Sequence, residues 1–235
     1  METVQKTTGF NQSEGLRSFF GKIYSKMALG VLISALVAFY VTSTISGFAV
    51  LEVIFSSTTY YYGIIGIQLG LLFGIQWGIN KLSKRWAEIL FYVYAAITGL
   101  TLSGLLLAYT GGSILSTFIA SVAVFAALAF VGKTMKYDMS GWKIFLFTGM
   151  WGVFIVSLVN GFVLQSARID WIISIVAVLV FSGLTVYDAQ AYKRMYLRSE
   201  QGQDLGKMIV LGGMHMYINF IMIFVSALKI FGGRN

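Results

Sequence analysis

Seven apolar stretches divide the chain, each close to the length that crosses a hydrocarbon layer. They fall near 27–48, 61–80, 86–109, 114–132, 142–165, 171–192 and 207–230, with short polar segments between them. A bilayer core of about 30 Å takes roughly 20 apolar residues in a helix. The stretches are long and continuous, whereas the strands of a membrane barrel are short and alternate apolar with polar positions. The pattern predicts an all-α integral membrane protein with seven transmembrane helices in one membrane domain, 27–235. A polar tail of mixed charge, 1–26, precedes it and is too long for the basic leader of a signal peptide, so the first span is expected to be retained. No repeat or low-complexity tract interrupts this order.

Composition sharpens the class. Of 235 residues, 57% are hydrophobic and 11% charged, with a mean hydropathy of +0.80. A soluble domain carries about 25% charged residues, so the soluble classes are excluded. Lys and Arg outnumber Asp and Glu by 17 to 9, but they lie between apolar runs rather than on one solvated face, which argues against nucleic acid. The chain has no cysteine and one histidine, which removes disulfides, thiolate centres, His-rich zinc sites and bis-His haem. No cofactor is expected.

The basic residues also orient the chain. Fourteen of the seventeen fall in the tail (Lys6, Arg17, Lys22, Lys26) and in the segments after spans 2, 4 and 6. Arg168, Lys229 and Arg234 alone fall on the other side. The positive-inside rule then places the N-terminus in the cytoplasm and the C-terminus outside. Trp77, Trp86 and Trp142 sit near the predicted inner ends, and Tyr60-Tyr61-Tyr62, Tyr109 and Trp171 near the outer ones, as aromatic belts require. Trp151, mid-span, falls outside that pattern.

Polar residues within the spans are the functional candidates, and small residues the packing candidates. Span 2 carries Gly66, Gly70, Gly74 and Gly78 at four-residue spacing, expected to pack against a neighbouring helix. Gln68 lies about 160–200° round the helix from the first two glycines, where it serves either an interhelical hydrogen bond or a polar conduit. Span 6 ends in Ser182, Thr185 and Asp188 before the cationic Lys193-Arg194. Span 7 carries His215, Asn219 and Ser226 within about 40° on one face. The midpoint between Asp188 and Asn219 falls in the polar turn 199–204. A helical hairpin reversing there sets Asp188 level with Asn219 and about one turn from His215.

Those residues carry a resemblance. Val186-Tyr187-Asp188-Ala189-Gln190 and Met216-Tyr217-Ile218-Asn219-Phe220, the run Leu228-Lys229-Ile230-Phe231-Gly232, and Thr98-Gly99-Leu100-Thr101-Leu102-Ser103 resemble the Bax inhibitor-1 (TMBIM) family of seven-span membrane proteins. The resemblance covers essentially the whole chain after the tail. It implies a bundle with the C-terminal helix near its centre and a pH-sensitive calcium leak gated by two aspartates, one on span 6 and one on span 7. Asp188 matches the first; the second position is Asn219, and a span 2 carboxylate common in relatives falls at or near Gln68. Two close carboxylates can share a proton, and hard divalent cations prefer several oxygens, so both departures bear on calcium and on acid gating. Some relatives instead modulate the membrane protease FtsH.

Two functions follow. One is a passive cation leak, calcium being the candidate permeant ion, through Asp188, Asn219, His215, Thr185 and Gln68. The other is a non-conducting regulator of a membrane protease or other membrane partner. No enzymatic role is expected. Ser113 and His215 fall toward opposite ends of their spans, out of reach as a nucleophile–base pair, and no phosphate-binding glycine loop is present.

Overall fold

The computed structural model describes residues 2–199 and 205–234. The chain forms α1 (Glu2–Ser43), α2 (Ile45–Ser56), α3 (Thr58–Gly78), α4 (Lys84–Ala108), α5 (Gly111–Thr134), α6 (Lys143–Val159), α7 (Ala167–Arg198) and α8 (Gly206–Phe231). A 3-10 turn, Met139–Trp142, leads into α6, and a π turn, Asn160–Leu164, ends it. Six helices are long and apolar enough to cross a membrane, and α3 contains a shorter apolar stretch, Gly63–Gly78. At 1.5 Å per residue those sixteen residues rise about 24 Å, less than a typical hydrocarbon core.

Local chemistry fixes the helix ends. With no proline available, α2, α3, α4, α5 and α7 start at hydroxyl caps. Thr44, Ser57, Ser83, Thr110 and Ser166 each accept a backbone N–H from the first turn of the helix they precede. Such caps satisfy donors the helix itself leaves free. Thr44 therefore starts a separate helix, α2, where the hydropathy pattern leaves a loop after a span ending at 48.

Helix α1 crosses the expected tail boundary at residue 26 without a break. Phe19, Phe20, Ile23 and Met27 are buried in the main core, with Leu16 packed against it. Their spacing is that of one helical face, so part of the tail is a packed continuation of the span. Lys26 on the same turn forms an ion pair with Glu88 of α4.

Helix α8 packs against α1, α4, α5 and α7. Two-thirds (67%) of its apolar window is buried, against 17–33% for the other long helices. Close helix approach is made by glycines outside the four-residue stripe: Gly99 meets the backbone of Ser34, and Gly132 that of Val186. The stripe itself corrects the packing expectation. Gly66, Gly70 and Gly74 lie on an outward face of α3, with nothing within 4 Å of an added Cβ, and Gly78 meets only Leu82 of its own turn. The face of α3 that packs on α4 carries larger side chains, so strict glycine spacing does not mark the contact within this chain.

The segments bearing the basic clusters meet at one end of the bundle. Lys193 Nζ donates to the Lys133 carbonyl (2.7 Å), Lys207 Nζ to the Asn80 carbonyl (3.1 Å), and Arg194 pairs with Asp138. Asp138 is fully exposed; hydrogen bonds from Ser140, then the Arg194 charge, hold its carboxyl below the usual carboxylate range. At the opposite end Lys229 pairs with Asp170 at 2.8 Å, and Tyr109 and Arg234 form a bridge. Tyr109 is thereby buried rather than facing an interface belt. Trp77, Trp86, Trp142 and Trp171 are exposed. Trp151 faces outward and stacks on Phe73, centroids 5.8 Å apart. The side chains of Tyr61 and Tyr62, and the hairpin turn expected at 199–204 beyond Ser199, lie outside the described residues.

Candidate functional site

Helices α7 and α8 run antiparallel, and α7 stays helical to Arg198, so both arms of the hairpin are regular around the polar stripes. Asn219 Nδ2 donates to Asp188 Oδ2 at 2.8 Å. Both residues are buried. This is the only hydrogen bond to the Asp188 carboxylate among the described residues, and no cationic side chain there pairs with it. A carboxylate within an apolar bundle is costly unless partnered.

One turn away, His215 bridges two helices. Its Nε2 lies 2.9 Å from Gln76 Oε1 of α3, and its Nδ1 lies 3.0 Å from Tyr192 Oη of α7. With the amide oxygen as acceptor, Nε2 carries a proton; Tyr192 then donates to a neutral Nδ1 or accepts from an imidazolium, an assignment made from the partners. The contact thus accommodates either charge state by rotating one hydroxyl. Asp188, Asn219, His215 and Gln76 line one cavity of about 260 Å³, whose other walls are apolar and aromatic, among them Phe73, Trp77, Phe147 and Trp151. It lies between α3, α6, α7 and α8.

The other sequence candidates lie elsewhere. Thr185 is fully buried, with its hydroxyl bonded to the Phe181 carbonyl of its own helix (2.8 Å), and it does not line the cavity. Gln68 donates to Thr98 Oγ1 at 3.0 Å, the interhelical bond rather than the conduit. Gln76, two turns further along the same helix, is the span 2 amide that reaches the site. Both glutamines lie on α3, and eight residues are about 80° of rotation, so periodicity alone does not choose between them. A second buried contact joins Ser34 of α1 to Tyr217 of α8, Oγ to Oη 2.6 Å, while Ser34 also donates to the Ala95 carbonyl (2.7 Å). Among the described residues, no group of three or more His, Cys, Asp or Glu side chains is arranged to hold a metal ion.

An all-helical, multi-pass membrane protein with a buried carboxylate against a cavity between helices is the class these features define. The family model described as inhibitor of apoptosis-promoting Bax1 matches residues 16–235. The chain is 37% identical to the inner membrane protein YbhL of Escherichia coli strain K12 over 222 residues, 94% of this chain and 93% of YbhL. It is 35% identical to an uncharacterized protein of Borreliella burgdorferi, covering 92% of each, and 32% identical to one of Rickettsia prowazekii, covering 100% of this chain and 96% of that protein. The chain belongs to the Bax inhibitor-1 family. The match begins at residue 16, and Leu16 packs against the main core.

Proposed function

We propose that this protein is a passive, pH-modulated cation leak of a cell membrane, with Asp188 and Asn219 at its constriction. The observation that carries the reading is the buried Asp188 carboxylate, bonded by Asn219 and facing the cavity it shares with His215. An ionisable group in a membrane bundle marks an ion or proton path by default. One carboxylate and one amide bind a cation weakly, as passage requires, and supply too few oxygens for a resident calcium ion. Calcium is the candidate permeant ion. His215 is the pH-responsive element, acting on Asp188 across the cavity and on Tyr192 through the hydrogen bond between them.

The reading takes α3 as a seventh, short crossing, α8 as the central helix, the N-terminus as cytoplasmic and the C-terminus as outside. The burial of α8, the gathering of basic segments at one end, and the inner-membrane relative support it. Purified protein in dye-loaded liposomes tests the leak. The expected result is cation flux with no partner present, ranked by ion substitution. Absence of flux across pH 5 to 8 would refute it and leave regulation of a membrane protease or another membrane partner.

A further inference from the structure

Helices α1 and α5 both pack on α8 but leave a seam between them that reaches down to it. Two cavities occupy this seam, of about 580 and 320 Å³. They share Val31, Ala35, Phe118 and Phe220, so the cleft is continuous. Along α5 the larger cavity runs from Phe118 to Lys133. Fifteen residues rise about 22 Å, enough for the roughly 15 Å of one leaflet's hydrocarbon. Its walls are apolar, with Phe125 and Phe130 of α5 and Leu32 of α1 set among the alanines Ala28, Ala126 and Ala129, and Phe220 as floor. Only its basic end is charged.

At that end Lys133 lines the cleft, its ammonium 5.1 Å from the centre of the Phe20 ring. Lys193 reaches across from α7 to the Lys133 carbonyl at 2.7 Å. Neither lysine has a carboxylate partner among the described residues, whose ion pairs are Lys26–Glu88, Arg194–Asp138 and Lys229–Asp170. Among the described residues, Lys133 therefore sets an ammonium without a carboxylate partner at the mouth of a leaflet-deep apolar cleft, and Lys193 reaches the same end of α5.

We propose that this seam is a binding site for an anionic phospholipid, its phosphate held by Lys133 and Lys193 and one acyl chain lying along Phe125 and Phe118 onto Phe220. Bulky rings beside alanines make an irregular apolar surface, which a flexible acyl chain fills without the regular close backbone approach of a docking helix. Basic pockets between membrane helices recognise anionic headgroups by the same charge complementarity. The bound chain rests on the residue next to Asn219, so the lipid braces the helix that carries the candidate site.

The test equilibrates purified protein with mixed vesicles of phosphatidylglycerol and phosphatidylethanolamine, then counts retained lipid by mass spectrometry. The wild type is expected to enrich phosphatidylglycerol, and Lys133→Gln and Lys193→Gln each to lower that enrichment about fivefold. Lys136→Gln, exposed and outside the cleft, should leave it unchanged. Ala126→Trp, which fills the exposed part of the cleft, should reduce retained lipid of both kinds. Circular dichroism and elution volume identify folded variants, and the lysine pair decides if the tryptophan variant does not fold. Equal retention of both lipids by the wild type, or enrichment that survives Lys133→Gln with Lys193→Gln, would overturn the proposal. A loss on Lys136→Gln as large as on Lys133→Gln would overturn it too, showing general basic attraction instead.

Discussion

Replacing Gly132 by alanine should destabilise the bundle, and replacing Gly70 should not. At Gly132 an added Cβ would stand 2.4 Å from the Val186 carbonyl oxygen and 2.9 Å from the Ala189 Cβ. Ordinary contact begins at about 3.4 Å, so α5 and α7 must part by roughly 1 Å. The obstacle is backbone, which cannot turn aside as a side chain can. Overpacking of this kind costs about 1–3 kcal/mol. At Gly70 nothing lies within 4 Å, so an added Cβ meets no obstacle and the helix propensity of alanine favours the variant by up to about 1 kcal/mol. The assay is thermal unfolding of purified protein in one detergent, where 1 kcal/mol corresponds to about 2–4 °C for a chain of this size. Gly132→Ala should lower Tm, and Gly70→Ala should leave it unchanged or raise it by a few degrees. A Gly132→Ala protein that melts with the wild type, or a Gly70→Ala protein that falls as far, would refute the reasoning.

Reporter fusions at the two ends should report opposite sides of the membrane; the same side for both would contradict the seven-span reading. His215→Gln should flatten the pH dependence of flux while Gln76→Ala weakens it, read in liposomes between pH 5 and 8. The hydrogen bonds and ion pair to Asp138 favour its charged form, so their contribution is full above the ordinary carboxylate range and lost as pH falls through the lowered one. Asp138→Asn should accordingly reduce the acid-induced loosening of the Met139–Trp142 turn, followed by hydrogen exchange.

Six long helices were legible because a membrane span writes itself as a long apolar run, whereas the separate α2, set off by the Thr44 cap, was not. The contact between Asp188 and Asn219 was legible for a related reason: two helices separated by a short polar stretch of sequence have their register set by counting. Where several residues share a chemical type, the pattern carried less. Gln68 and Gln76 differ in partners only because α3 lies between α4 on one side and His215 on the other. Gly99 and Gly132 are isolated in sequence yet make the close approaches, while the conspicuous stripe faces outward. The buried face of Leu16, Phe19, Phe20 and Ile23 was masked by Arg17 and Lys22 between them, although its helical spacing was there to be read.

In the proposed leak Asp188, held by Asn219, controls cation passage. The most direct measurement compares calcium flux into liposomes for the wild type, Asp188→Asn, Asn219→Asp and the double variant, at pH 5, 6, 7 and 8. Flux is expected in the wild type and its loss in Asp188→Asn. Asn219→Asp should gain acid dependence, because two carboxylates in contact share one proton and titrate as a unit, and Asp188→Asn in that background should remove the gain. Wild-type flux unchanged by Asp188→Asn at every pH would contradict the account and leave the Asp188–Asn219 contact as a structural bond between two helices.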